Sequence, residues 1–519
     1  MNGGPKSGDW SEDDRRAIAA AGLTIEEVER QLGIFRRGVS PIRLLKPCTL
    51  GDGIVAIAAE ERPLLMDACE EARRDGRLMK FVPASGAASR MFRDWHAALA
   101  AGEFADLPEE ESFCRSLASY AFYPDLEEIF DGSGRSLAQM VEDRRYAEIL
   151  RCILTEEGLN YGSLPKAVIK FHHYPDCARS AIEEHLVEAA LYVRDENRIA
   201  RIHFTVSGDH QKIVQERLLE VMRDYGARFD TVFDFDVSIQ DSATNTIAVE
   251  PDGRPFRGRN GALLFRPSGH GALLANLDSL DADIAFVKNI DNVVADCHKD
   301  DTVLWKKLLA GYLVTLQREL FNDLFILEDP GSAGREISGI AEFCRTRLNI
   351  FLPSFFGSLP EAEKRHFLFD KLNRPLRVCG MVKNEGEPGG GPFWVESRGE
   401  SGVFFPPQIV EESQIDKDDR GQMAVWSSST HFNPVDLVCG LRDYRGRKFR
   451  LADFVDQETS IIARKSEKGR DILALERPGL WNGSMAFWNT IFIEVPVTTF
   501  APVKTVRDLL RPAHRTSSL

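Results

Sequence analysis

The sequence predicts an α/β protein: a mixed, mostly parallel sheet flanked by helices. Three observations lead there. From Leu78 to Val294, short apolar or alternating segments are followed repeatedly by stretches with helical spacing. A run of small residues, Ala84 to Ser89, separates one apolar segment from a helical one, as in a βα turn. No hairpin signal appears before Gly386.

Taken in order, residues 1–77 read as a helical N-terminal segment. Ser11 and Thr24 are N-caps with acids in the first turn, Pro47 to Asp52 is a turn, and Glu60 to Asp75 is a third helix. Residues 78–370 read as the core, with a helical insertion at 92–160 carrying the apolar stripe Phe113, Leu117, Ala121 and Phe122. Within the core, Leu78–Val82, Ile202–Ser207, Thr231–Gln240 and Asp283–Val294 are strands. Arg179–Tyr192 is an amphipathic helix, Gln211–Tyr225 a second and 301–328 a long third. Residues 371–519 form a C-terminal part: a hairpin of Leu376–Lys383 and Pro392–Glu396, then closing strands at Phe492–Val497 and Phe500–Thr505.

With 519 residues the chain is long enough for two to four domains, and its 43% hydrophobic and 28% charged residues are those of a globular protein. A net charge of −15 excludes sequence-independent nucleic-acid binding, which needs a basic surface, but not a nucleotide held by a few local cations. The absence of a cationic apolar leader and of an apolar run near 18 residues predicts a soluble chain without signal peptide or membrane span. The nine scattered cysteines form no C-x-x-C pair, which suits reduced thiols in a cytoplasm and offers no zinc site. His172, His173 and His185 lack metalloprotease spacing and are read as structural.

The stretch Pro83-Ala-Ser-Gly-Ala-Ala-Ser-Arg90 is the candidate phosphate turn. Small side chains admit an anion to backbone N–H groups at a helix start, and Arg90 can add a bidentate contact. Lys166 follows a proline that extends the backbone before it, so its ammonium is a second candidate. Gly269-His270-Gly271 is another turn before a helix, and Asp291 stands at the C-terminal end of a buried strand, outside which open α/β sheets place ligands.

Together these segments resemble the UDP-sugar pyrophosphorylases of the nucleotide-diphospho-sugar transferase superfamily, and their wording is similar to a bacterial family carrying a domain of unknown function. Pro83–Arg90 resembles the L-x-G-G-x-G-T-R loop, Pro165-Lys166 the PK pair, Gly269–Gly271 the GHG turn and Asn289–Asn292 the NVDN strand end. Phe500-Ala-Pro-Val-Lys504 resembles the late F-x-P-L-K lysine. The resemblance implies a GT-A-like, Rossmann-like fold and a metal-dependent sugar-1-phosphate uridylyltransferase, with UTP and a sugar 1-phosphate as partners. It implies Arg90, Lys166 and Lys504 as catalytic cations, and Mg²⁺ on Asp291, taken as a strand-end carboxylate exposed to a cleft. It implies nucleotide contacts at Ala84, Ser85, Gly86, Ala87, Ser89, Gln240, Gly269, His270 and Gly271, and sugar contacts at Glu396 and Glu411.

Two functions stay open on these residues. Retention of four charged positions favours the enzyme, because phosphoryl chemistry needs charge stabilisation above all. Ser85 and Ala88, standing where the signature has glycine, favour a protein that binds nucleotide or a protein partner without turnover. A glycosyltransferase is a third reading; Asp234-Phe-Asp236 and Asp281-Ala-Asp283 have D-x-D spacing but lie within or before strands.

Overall fold

The computed structural model describes residues 10–86, 88–329, 331, 336–386, 389–399 and 402–516. The chain forms two compact units, each assembled from three separate segments. The first comprises Met1–Ala68, Gln240–Ala285 and Leu309–Val495, the second Cys69–Ile239, Phe286–Leu308 and Pro496–Leu519. These units follow packing rather than chain order, and so differ from the contiguous division at 77 and 370.

In the second unit the expected βα alternation is present. Strands Leu78–Pro83, Ile199–Val206 and Val232–Ile239 pair in parallel, Lys80 opposite Ile202 and Ile202 opposite Phe235. Strand Ile284–Lys288, whose last three residues belong to this unit, lies beside Leu78–Pro83. Helices Ala181–Tyr192 and Gln211–Phe229 precede and follow Ile199–Val206. The 92–160 insertion is helical, with helices from Arg93–Ala101 to Tyr146–Leu154. Trp95 anchors it, meeting Phe113, Tyr120 and Phe122 edge-on at 5.2, 5.6 and 6.5 Å.

Helix Ala181–Tyr192 corrects an expectation. It is not amphipathic: every residue but Leu191 is buried, including Glu183, Glu184, His185 and Glu188. Its charges survive burial because each meets a cation. Glu188 accepts from Lys80 and Lys288, both at 2.7 Å, and Glu184 from Lys299 at 2.6 Å. Arg217 reaches Glu183 at 3.2 Å. Alternating charges thus resemble a solvated face in sequence while serving as an internal ionic core.

Three histidines belong to this core. His172 Nδ1–H donates to Glu184 at 2.9 Å, so its Nε2 must accept the Nδ1–H of His514, also at 2.9 Å. His185 Nε2–H donates to the Ile290 carbonyl. Burial pushes all three below the usual histidine range, His514 to about 3. On unfolding each regains its ordinary value near 6.5. Below about pH 6.5 the unfolded chain therefore binds more protons, and stability falls as pH falls. The slope steepens through this range toward a limit of about 1.4 kcal/mol per pH unit for each histidine that stays neutral in the folded chain, read from urea midpoints at pH 7, 6 and 5. A flat profile would contradict neutral buried histidines.

The first unit is mainly antiparallel outside one mixed sheet. That sheet runs Thr49–Leu50, Gly53–Val55, Asn489–Glu494, Leu376–Lys383, Asp436–Gly440. Leu376–Lys383 is parallel to Asn489–Glu494 and antiparallel to Asp436–Gly440. The expected hairpin is absent: Gly391–Val395 pairs instead with Leu44–Pro47 and Pro407–Val410 in a separate three-stranded sheet. A glycine-rich tip looks the same in sequence whether its strands pair with each other or elsewhere. Nor is the stretch before residue 300 wholly parallel, because Thr246–Val249 and Phe265–Arg266 pair antiparallel with each other and join Arg470–Glu476. The capped helices Glu12–Ala20 and Ile25–Arg37 cover this small sheet, packing Ile18, Val28 and Leu32 on Ile247 and Val249. The N-terminal segment also carries strand Leu44–Pro47, so it is not all helical. Of Phe492–Val497 the strand takes residues to Glu494, and Phe500–Thr505 is no strand, although Pro502 makes an isolated bridge with Asn292. No described helix is long and apolar enough to cross a membrane. The nine cysteines are all free.

Candidate functional site

Backbone hydrogen bonds draw four distant segments of the second unit together past the strand ends. Ile290 N–H donates to the Pro83 carbonyl at 3.1 Å, and Lys166 N–H to that of Gly86 at 3.2 Å. Ala88 N–H reaches the Leu164 carbonyl at 3.1 Å, and Val503 N–H the Asp291 carbonyl at 2.9 Å. The turn after Leu78–Pro83, the Pro165-Lys166 dipeptide, the Asp291 loop and the C-terminal segment thereby form one surface.

Asp291 is its centre. It is 6% exposed, and its Oδ2 accepts from Lys166 Nζ at 2.8 Å and Lys504 Nζ at 3.2 Å. Burial raises the Asp291 pKa, but the two ammonium groups outweigh burial and hold it below the ordinary carboxylate range. Burial lowers the Lys166 pKa against the pull of Asp291, and Lys504 and Arg90 lower it further. Lys166 also donates to the Val503 carbonyl at 2.7 Å, so its position is fixed. The Lys504 side chain is 63% exposed, against 10% for Lys166. The cluster therefore joins one locked cation to one free to meet a ligand. Arg90 is exposed and makes no ion pair among the described residues.

These groups suit an anion better than a resident metal. One carboxylate is offset by Lys166, Lys504 and Arg90, leaving a net positive patch. Among the described residues no group of three or more His, Cys, Asp or Glu could hold a metal ion. Asp291 Oδ2 is already engaged by two ammonium groups, so the donor set does not fit a resident Mg²⁺. Nor is Asp291 the exposed cleft carboxylate the sequence suggested; it is a buried ion-pair partner. The Asp234 and Asp281 pairs do not gather other acids either: Asp236 meets His203 and Asp281 meets Arg442.

The turn itself differs from the expected helix start. Ala88–Arg90 is a 3-10 turn and the α-helix begins only at Arg93, so the helix does not start directly from the turn. Ala84 and Ala88 N–H groups are already bonded, to Thr205 and Leu164. Ser85 is half-buried, Ser89 exposed, and a Cβ built on Gly86 would meet nothing within 4 Å, so the turn borders open space. Ala87 lies outside the described residues.

Several supporting residues were not singled out in the sequence. Asp508 Oδ2 accepts from the N–H groups of Lys504 and Thr505 at 2.9 and 2.7 Å, fixing the Lys504 backbone. Its signal was present as the capping-box pattern Thr505-x-x-Asp508. Asn292 Oδ1 accepts from Ala501 N–H, which orients its amide and leaves Nδ2 buried without an acceptor.

The remaining candidates lie in the first unit. His270 Nδ1 accepts from Leu480 N–H at 3.0 Å, so the proton sits on Nε2, which faces Glu411 Oε1 at 3.4 Å. Its ring stacks on Trp481 with centroids 4.1 Å apart. A Cβ on Gly479 would lie 2.4 Å from the His270 ring, and one on Gly271 2.3 Å from the Pro478 carbonyl oxygen. The glycine at 271 thus admits the protein's own 478–481 loop rather than opening space for a base, and Gly269 supplies a left-handed turn at φ 74°. The signal in sequence was the Leu480-Trp-Asn-Gly483 stretch. Glu411 is held below the carboxylate range despite burial, through His270, Trp481 and Asn482. Glu396 pairs with Arg398 and Arg43. In the register Gly391–Val410 to Trp394–Pro407, Glu396 and Glu411 extend from opposite ends, so the structure does not bring them together. Gln240 is half-buried just past strand Val232–Ile239 and belongs to the first unit.

No curated protein matches the chain. Similar solved structures include a mutant UDP-glucose pyrophosphorylase from Leishmania major, at 13% identity and TM-score 0.45, over 97% of this chain and 79% of that one. They also include the UDP-N-acetylglucosamine pyrophosphorylase from Trypanosoma brucei, at 13% identity and TM-score 0.48, over 97% and 80%. A family model matches residues 11–515, and the chain belongs to that family, described as domain of unknown function DUF4301.

Proposed function

We propose that the protein is a nucleotidyltransferase that joins a nucleoside triphosphate, UTP favoured, to a sugar 1-phosphate with release of pyrophosphate, on a GT-A-like fold. The observation that carries this reading is the Lys166–Asp291–Lys504 cluster tied by backbone bonds to the Pro83–Arg90 turn. A sugar-phosphate oxygen forms the new bond to the α-phosphorus as the α–β phosphoanhydride bond breaks, and pyrophosphate carries away the bonding electron pair. Neither step needs an acid or base, but both redistribute negative charge. Lys504 is free to swing onto phosphate oxygens, while Lys166, kept charged by Asp291, adds a fixed positive centre. Arg90 closes the turn side. Mg²⁺ enters with the triphosphate in this reading, rather than residing on Asp291.

The second reading, nucleotide binding without turnover, is favoured by the bonded N–H groups of Ala84 and Ala88, which leave the turn fewer donors for a phosphate. Pyrophosphate release, followed across nucleoside triphosphates and sugar 1-phosphates with Mg²⁺, separates the two. Release dependent on both substrates supports the transferase. Saturable nucleotide binding with no release supports the binder.

A further inference from the structure

A pocket in the first unit shares no residue with either cluster above. Helix Glu361–Leu372 presents Phe367 and Lys371, four residues apart, on one face. With Phe351, Phe404 and Trp488 they wall a space of about 80 Å³, and Arg374 stands at its side.

Its cations make no ion pair among the described residues, Asp370 acting on both only at longer range. Lys371 Nζ lies 5.4 Å from the ring centroids of both Phe367 and Phe404, and no carboxylate comes within ion-pair distance among the described residues. Arg374 gives two of its five N–H groups to backbone carbonyls, of Asp370 at 2.9 Å and Phe487 at 3.3 Å. Burial lowers the pKa of both groups. Trp488 is 4% exposed, and its indole N–H is buried without an acceptor. At the mouth Phe351 is 43% exposed, so the space is open.

A desolvated cation and an unmet N–H donor among aromatic rings call for an acceptor carrying negative charge on a flat apolar body. The geometry points to a binding site for a single-ring aromatic carboxylate. One carboxylate oxygen answers the Lys371 ammonium and the other the Trp488 N–H, while the ring lies among the phenylalanines. The space of about 80 Å³ is smaller than the enclosed cavity of about 150 Å³ that takes a benzene ring, so a single ring enters in part and extends through the open mouth, and a fused system would leave most of its surface outside.

Benzoate and its neutral isostere benzamide test this by calorimetry on the full chain. Benzoate is expected to bind once per chain, in the millimolar range or tighter for so small a ligand, and at least about fivefold more tightly than benzamide. Lys371→Gln should abolish that preference, and Trp488→Phe should weaken benzoate about threefold with the melting temperature retained. Binding should persist in Lys504→Ala, which makes the result independent of the phosphate cluster. Equal affinity for benzoate and benzamide, no saturable benzoate binding, or unchanged preference in Lys371→Gln would overturn the assignment.

Discussion

Replacing Glu188 by alanine is expected to cost the protein about 3–5 kcal/mol of stability. Its carboxylate is fully buried and holds Lys80 and Lys288 at 2.7 Å, with Tyr192 donating at 3.1 Å. Burial already outweighs the carboxylate's pull on Lys80 and pushes that lysine down to about 7. Removing the anion leaves Lys80 and Lys288 buried without their partner, to stay charged or give up a proton, and breaking a buried pair costs about 3–5 kcal/mol, a large part of the 5–15 kcal/mol that is the whole stability of an ordinary domain. Replacing all three residues together, with Lys80→Met, Glu188→Leu and Lys288→Met, should cost much less, because no charge is left unpaired. Urea midpoints of the single and triple variants check this; a single variant as stable as its parent would remove the ionic core from the account.

Asp291→Ala is expected to lose both activity and stability. An exposed carboxylate would leave the fold untouched, but this one neutralises a lysine that is itself 10% exposed. The unpaired Lys166 should cost about 3 kcal/mol, the lower end for a buried pair because the Val503 carbonyl still accepts from it. Turnover should fall by about 10²-fold or more as Lys166 shifts or loses its proton. Lys166→Ala should weaken triphosphate binding and rate together, since the ammonium meets phosphate in ground and transition states alike. Pyrophosphate release and urea midpoints of both variants test this. A fully stable Asp291→Ala protein would show that the pair does not hold the loop.

The βα alternation of residues 78–239 and the meeting of Gly86, Lys166 and Asp291 were legible in the sequence, whereas Gln240, Gly269 and Gly271, expected in the same cleft, belong to the first unit. Local patterning encodes the first, and a strand-end position in a parallel sheet implies the second. Strand partners in the first unit were not legible, because Gly391–Val395 pairs with Leu44–Pro47 across more than three hundred residues and no local signal records such a choice. Burial was also hidden. Glu183, Glu184 and Glu188 sit at spacings that suit a solvated helix face, and only the cations Arg217, Lys299, Lys80 and Lys288, brought in from other elements, make their burial affordable. The same holds for His270, whose ring is claimed by Trp481 two hundred residues away.

The central claim is that Lys504 and Lys166 form a phosphate site, and the affinity of Lys504→Ala for UTP tests it most directly. The Lys504 side chain is 63% exposed, so its removal should leave the fold and its urea midpoint unchanged. Calorimetry in the presence of chelator isolates the protein's own cations from any metal. The account predicts that the parent binds UTP and that Lys504→Ala binds it at least about tenfold more weakly, the loss of one charge-assisted contact. Equal UTP affinity in parent and variant would contradict it.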